Sequence, residues 1–274
     1  MENLNIDNVP SYLLNILSNS FSQVNEKERN SLMDISKMMF IYLYNRYLLF
    51  RSSEDNRKEH ELIVLSNVLK ISEKMELNYS DKKIAIAVSL FHDTCFIKRI
   101  MEEEIRKLEE KGSIKEANLL REKKKDQRRD HMKGGAKNTK EALEYINKIN
   151  PHGWTIFTDK EIERSEKIVL KHDLIKTDEL YPKRINTLEL CCHESDILWP
   201  LHPIGVSADI ERYGKDINEK ENWTNQVKEN LKLFDDMRKK YDKKNVDDRF
   251  IEKTYFRTEE GHRIFSNWLK FWNL

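Results

Sequence analysis

One stretch limits what this chain can become: Ile84-Ala-Ile-Ala-Val-Ser-Leu-Phe-His-Asp-Thr-Cys-Phe96. It is apolar for nearly eight residues and then presents His92 and Asp93 side by side. Such a run belongs inside a protein, where an imidazole and a carboxylate lose their hydration at high cost. A divalent cation offsets that cost. Imidazole nitrogen and carboxylate oxygen suit Zn, Mn, Fe, Ni or Co. A lone His-Asp pair is common, so further ligands decide the matter.

Further ligands are present. His60 lies upstream on an amphipathic segment, and His131 begins His-Met-Lys-Gly-Gly-Ala136. His172 follows an apolar turn in Ile168-Val-Leu-Lys-His-Asp173, and Asp196 lies in Leu188-Glu-Leu-Cys-Cys-His-Glu-Ser-Asp-Ile-Leu198. The order is His, His-Asp, His, His, Asp. That is enough nitrogen and oxygen for one metal ion, or for two.

The rest of the chain predicts helices. Gly (7) and Pro (5) are scarce among 274 residues, which disfavours a turn-rich β fold. Amphipathic patterns predict helices over 10–24, 28–50 and 56–77, and a further helix after the turn at Tyr79-Ser80-Asp81. Residues 98–130 are dominated by Lys, Arg and Glu and predict an exposed helical hairpin turning at Gly112-Ser113, a lid or partner surface being the alternative. His131 opens the next helix, which stops at Asn150-Pro-His-Gly153. Thr158-Asp-Lys-Glu161 has the form of a capping box. A helix over 184–198 precedes the rigid aromatic turn Trp199-Pro-Leu-His-Pro203, and an aromatic stripe from Ile264 to Trp272 closes the chain. The economical reading is one all-α domain over 1–274. Its core is about 55–200, with a charged excursion at about 98–130 and a C-terminal extension at about 205–274.

Several classes are disfavoured. Charged residues make up 35% of the chain, yet the net charge is +1, which gives bulk charge no reason to hold nucleic acid. The basic cluster from Arg121 to Arg129 alternates with acids, so a nuclease ranks below a hydrolase of small nucleotides. The most apolar run, Met38 to Phe50, is too short for a membrane span and contains Asn45 and Arg46. Cys95, Cys191 and Cys192 show neither disulfide nor zinc-knuckle spacing, and a cytoplasmic location is expected.

The pattern resembles the HD-domain superfamily of metal-dependent phosphohydrolases. Four blocks carry the resemblance: Arg57-x-x-His60; Leu90-Phe-His92-Asp93; His131-x-x-Gly-Gly-Ala136 with Ile168-x-x-x-His172; and Asp196-Ile-Leu198. They span about residues 55–200. The blocks at His131 and His172 point to the subset that holds two metals. Many members follow His-Asp with an apolar residue, Gly and often Lys, whereas this chain has Thr94-Cys95-Phe96.

The resemblance implies a helical bundle with peripheral N- and C-terminal helices, and a phosphohydrolase or phosphodiesterase. The substrate would be a nucleotide or similar small phosphorylated molecule, without a membrane partner. By analogy His60, His92, Asp93 and Asp196 hold one ion, while Asp93 bridges to a second held by His131 and His172. The ions would be Mn, Fe, Mg, Ni, Co or Zn. Asp93 is the catalytic candidate, in a reaction driven by a two-metal-activated hydroxide. Arg57, Lys133 and Lys137 are the candidates for phosphate binding. Asp173 could orient His172 or simply face solvent. His152, His193 and His262 read as structural, and Cys95 as packing. Two alternatives remain open: a di-iron oxygenase of the same superfamily, and a non-catalytic regulatory or binding module.

Overall fold

A computed structural model describes residues 5–49, 58–95, 102–151, 153–177, 186–243, 250–251 and 254–274. The all-α expectation holds: the described residues contain helices and turns but no strand. The chain runs through α1 (Ser11–Ser20), α2 (Glu26–Leu43), α3 (His60–Lys74), α4 (Tyr79–Phe91), α5 (Glu102–Glu110) and α6 (Ile114–Ile149). It continues through α7 (Asp159–Val169), α8 (Thr187–Ile197), α9 (Pro203–Arg212), α10 (Lys220–Lys243) and α11 (Glu259–Phe271). No helix among the described residues is long and apolar enough to cross a membrane.

Local chemistry marks many of these boundaries. Asn25, Asn78, Asn186 and Thr258 cap their helices by accepting a backbone N–H two or three residues on. Thr158 and Glu161 form the expected capping box at the start of α7. Tyr44–Leu48 continues α2 as a π-helical turn and carries the buried Tyr44 and Leu48.

The centre of the fold is the α3–α4 hairpin. Both helices are apolar around most of their circumference, the pattern of a helix with neighbours on several sides. Leu62, Leu65 and Leu69 of α3 join Ile86, Leu90 and Phe91 of α4 in one core with α1, α2 and the end of α6. Val68 and Ile71 join Ile84, Ala85 and Val88 in a second core with α7, α8, α10 and α11. The helices have 15 and 13 residues, so a tight turn between them brings the start of α3 beside the end of α4. His60 occupies the first of those positions and His92 follows the second.

One boundary differs from expectation. His131 does not open a helix. It lies in the interior of α6, which runs unbroken for 36 residues. The charged run that reads as a separate hairpin is rich in Lys, Glu and Arg, which are good helix formers. No proline interrupts it between Ser113 and His131. Only α5 and the first turns of α6 make the hairpin, turning at Gly112 with φ +76°.

Candidate metal centre

Separate elements converge on the end of the α3–α4 hairpin. His60 begins α3, His92 and Asp93 follow α4, His131 comes from α6, His172 from the turn after α7, and Asp196 from α8. All four histidines are buried. Their donor atoms, with the Asp93 carboxylate, form two overlapping groups: His60, His92 and Asp93, and Asp93, His131 and His172.

In the first group, His60 Nε2 lies 3.1 Å from His92 Nε2 and 3.3 Å from Asp93 Oδ2. Asp196 Oδ1 lies 3.3 Å from His92 Nε2 and 3.6 Å from His60 Nε2. In the second group, Asp93 Oδ1 lies 2.9 Å from His131 Nε2 and 3.5 Å from His172 Nε2. Asp93 is therefore common to both.

The imidazoles are oriented from behind. His92 Nδ1 donates to Ser89 O at 3.0 Å, His172 Nδ1 to Val169 O at 2.7 Å, and His131 Nδ1 to Cys95 O. A carbonyl oxygen can only accept, so in each ring Nδ1 carries the hydrogen. Nε2 is then the nitrogen left facing the cluster, the one that would turn its lone pair to a cation. Backbone partners of this kind commonly fix metal-ligating histidines. His172 Nε2 is buried without a hydrogen-bond partner. The donor chemistry, the facing Nε2 atoms and this orphaned nitrogen all fit divalent cations.

Electrostatics within the protein alone are strong. Burial opposes a charge on His92, but the Asp93 and Asp196 carboxylates outweigh it and push the ring up to about 10. Burial likewise opposes the charge on Asp93. His92, followed by the neighbouring imidazoles of His131, His172 and His60, holds its carboxyl well below the usual range.

Two glycines let α6 approach. A Cβ on Gly135 would lie 2.5 Å from the carbonyl oxygen of His92, and one on Gly134 would lie 2.2 Å from Cys95 Sγ. The bare backbone at these positions brings α6 against the 92–95 turn, and His131, one turn earlier, reaches Asp93. Cys95 serves in this packing, and burial raises its thiol pKa.

Other side chains position the ligands without joining them. Trp199 packs edge-on against His60 with ring centroids 4.8 Å apart. Glu194, buried on α8, accepts hydrogen bonds from the Arg257 and Thr258 backbone N–H groups and from the Thr258 hydroxyl. Burial nevertheless raises its carboxyl to about 7. This contact ties the helix that carries Asp196 to the N-terminus of α11. Nothing in the spacing around Glu194 signals that role. His193 bonds the Tyr255 hydroxyl at 3.0 Å, and His262 lies 3.4 Å from the Ser266 hydroxyl.

The phosphate-binding candidates divide differently. Arg57 lies outside the described residues, as does His152. Lys133 and Lys137 stand two and six residues beyond His131 and therefore on other faces of α6. Their side chains point to solvent, near Asp130 and Glu141, and the structure does not bring them to the cluster. A cleft lined by His92, His172 and Asp196 carries Lys171 and Glu189, paired at 3.3 Å. Within the basic cluster, Arg121 pairs with Glu109, Lys125 with Glu122, and Arg129 with Asp126.

No family model, curated protein or solved structure matches this chain.

Proposed function

We propose that the protein is an HD-type metal-dependent phosphohydrolase. Its reaction is cleavage of a phosphoester or phosphoanhydride in a nucleotide or similar small substrate. One observation carries the reading: Asp93 belongs to two donor groups at once, each completed by imidazoles whose Nε2 atoms face it. His60, His92, Asp93 and Asp196 would hold one ion, and Asp93, His131 and His172 a second. Bound divalent cations supply Lewis acidity, which makes water nucleophilic near neutral pH and neutralises charge on a phosphoryl group.

The chain's own residues do the rest. Ser89, Cys95 and Val169 hold three imidazoles in the ligating tautomer through their carbonyl groups. Asp93 is the candidate catalytic carboxylate because it would be shared by both ions. Lys171 is the cation lining the adjoining cleft and can exchange Glu189 for an anionic group of the substrate.

The test is metal analysis joined to a substrate screen. The purified protein is loaded with Mn, Mg, Fe, Co, Ni or Zn and offered nucleotides, dinucleotides and cyclic nucleotides. Release of phosphate or nucleotide, abolished in His92→Ala and Asp93→Ala, is expected. Oxygen consumption by the iron-loaded protein without hydrolysis would favour a di-iron oxygenase. Absence of both activities would favour a binding module.

A further inference from the structure

Against the second donor group, with Asp173 Oδ2 4.0 Å from His172 Nε2, lies an ion pair that is a member of neither group. Arg128 Nη1 lies 2.6 Å from Asp173 Oδ2. The Asp173 side chain is 2% exposed and that of Arg128 13%. Asp173 therefore does not face solvent. Arg128 also departs from the solvated charge expected of its neighbourhood.

The positions of the two partners matter. Arg128 stands three residues before His131, on the same side of α6. Asp173 is the residue after His172. The pair therefore joins the two backbones that carry the imidazoles of the second group, whose rings meet with centroids 5.2 Å apart. His131 rides on a long helix. His172 sits in a turn held by short-range hydrogen bonds, including His172 N to Val169 O at 3.3 Å. A turn has softer geometry than a helix and depends more on an outside anchor.

A buried ion pair is a poor source of stability, because desolvation cancels most of the attraction. An apolar pair of similar volume would serve packing as well. We propose that Arg128 and Asp173 form a positioning clamp that sets His131 against His172 for the second cation. The clamp rests on the two-ion reading above.

Calorimetric titration of the full chain with Mn²⁺ tests it, the two binding steps being assigned with His60→Ala and His131→Ala. In Asp173→Asn and Arg128→Met the second step should weaken by about 10–100-fold, the usual effect of losing a residue that orients a ligand. The first step should hold within about twofold. The double variant Arg128→Met/Asp173→Leu removes both charges and leaves none stranded. It should melt close to wild type while its second step stays weak, which a purely stabilising pair would not produce. It also carries the test if a single variant fails to fold.

An unchanged second step overturns the clamp. So does recovery of that step in the double variant, or a parallel loss of both steps. A wild-type protein that takes up fewer than two equivalents overturns the two-ion reading and the clamp with it, whereas two tight equivalents in every variant overturn the clamp alone.

Discussion

His60 and His131 meet Asp93 at opposite oxygens: His60 Nε2 lies 3.3 Å from Oδ2, and His131 Nε2 lies 2.9 Å from Oδ1. One carboxylate thus stands between two half-sites. Asp93→Ala should abolish binding of both ions. His60→Ala and His131→Ala should each remove one and leave the other. Metal content after dialysis against trace Mn²⁺ separates these cases. An Asp93→Ala protein that still holds a full equivalent would show that the groups do not share it.

Gly135 faces the His92 carbonyl oxygen, where an added Cβ would sit at 2.5 Å. Inside a helix, Gly→Ala ordinarily gains about 1 kcal/mol from propensity. Here the obstacle is backbone, which cannot rotate away, and overpacking typically costs about 1–3 kcal/mol. Gly135→Ala should therefore lose stability in urea unfolding and weaken the His131–His172 half-site. Gly134→Ala meets a side chain instead, the Sγ and Cβ of Cys95. Its penalty should shrink in a Cys95→Gly background, whereas that of Gly135→Ala should not. Equal behaviour of the two glycines in that background would refute the distinction.

The candidate cluster was legible to the extent that burying an imidazole or a carboxylate is costly. His92-Asp93 ends an apolar run, and His60 and His172 flank similar runs, so their inward direction follows from periodicity alone. Gly134 and Gly135 could be seen in the sequence, but their reason could not. The atoms they accommodate belong to the 92–95 turn, some forty residues away. The unbroken course of α6 is hidden in the sequence because charge density resembles a separate solvated hairpin, whereas Lys, Glu and Arg are also strong helix formers. For Lys133 and Lys137 a signal was available: offsets of two and six from an inward histidine place a side chain off its face. Asp173 and Glu194 were beyond reach, since their partners come from distant segments.

His202 should make stability depend on pH. Its Nδ1 accepts the Ile204 N–H at 3.2 Å and so caps α9, which requires an unprotonated nitrogen. Burial, with Lys70 adding to it, lowers this ring to about 4 from its ordinary 6.5. The unfolded chain thus binds the proton more readily between those values. The contribution is fully present above about pH 6.5 and is lost as pH falls towards 4. By linkage it amounts to roughly 3 kcal/mol at most. His202→Asn keeps a capping oxygen and removes the titration. Urea midpoints in EDTA at pH 7.5 and 5.0 should fall less for the variant than for wild type. Identical slopes would remove His202 from the account.

The turn that aligns His60 with His92 carries a removable strain. After α3, Leu77 N donates to Ser72 O at 3.0 Å and Glu76 N donates to Glu73 O at 3.1 Å, a pattern that places Glu76 in the left-handed region at φ +52°. For a residue with a Cβ this conformation costs about 1–2 kcal/mol. Glycine escapes that cost but loses up to about 1 kcal/mol through its freer unfolded chain. The Glu76 side chain is exposed, so little packing is at stake. Glu76→Gly should therefore stabilise the protein by about 0.5–1 kcal/mol, raising Tm by about 1–3 °C in a chain of this size. Glu76→Ala, which keeps the Cβ, should not. A glycine variant no more stable than the alanine variant would mean that the left-handed residue costs the hairpin nothing.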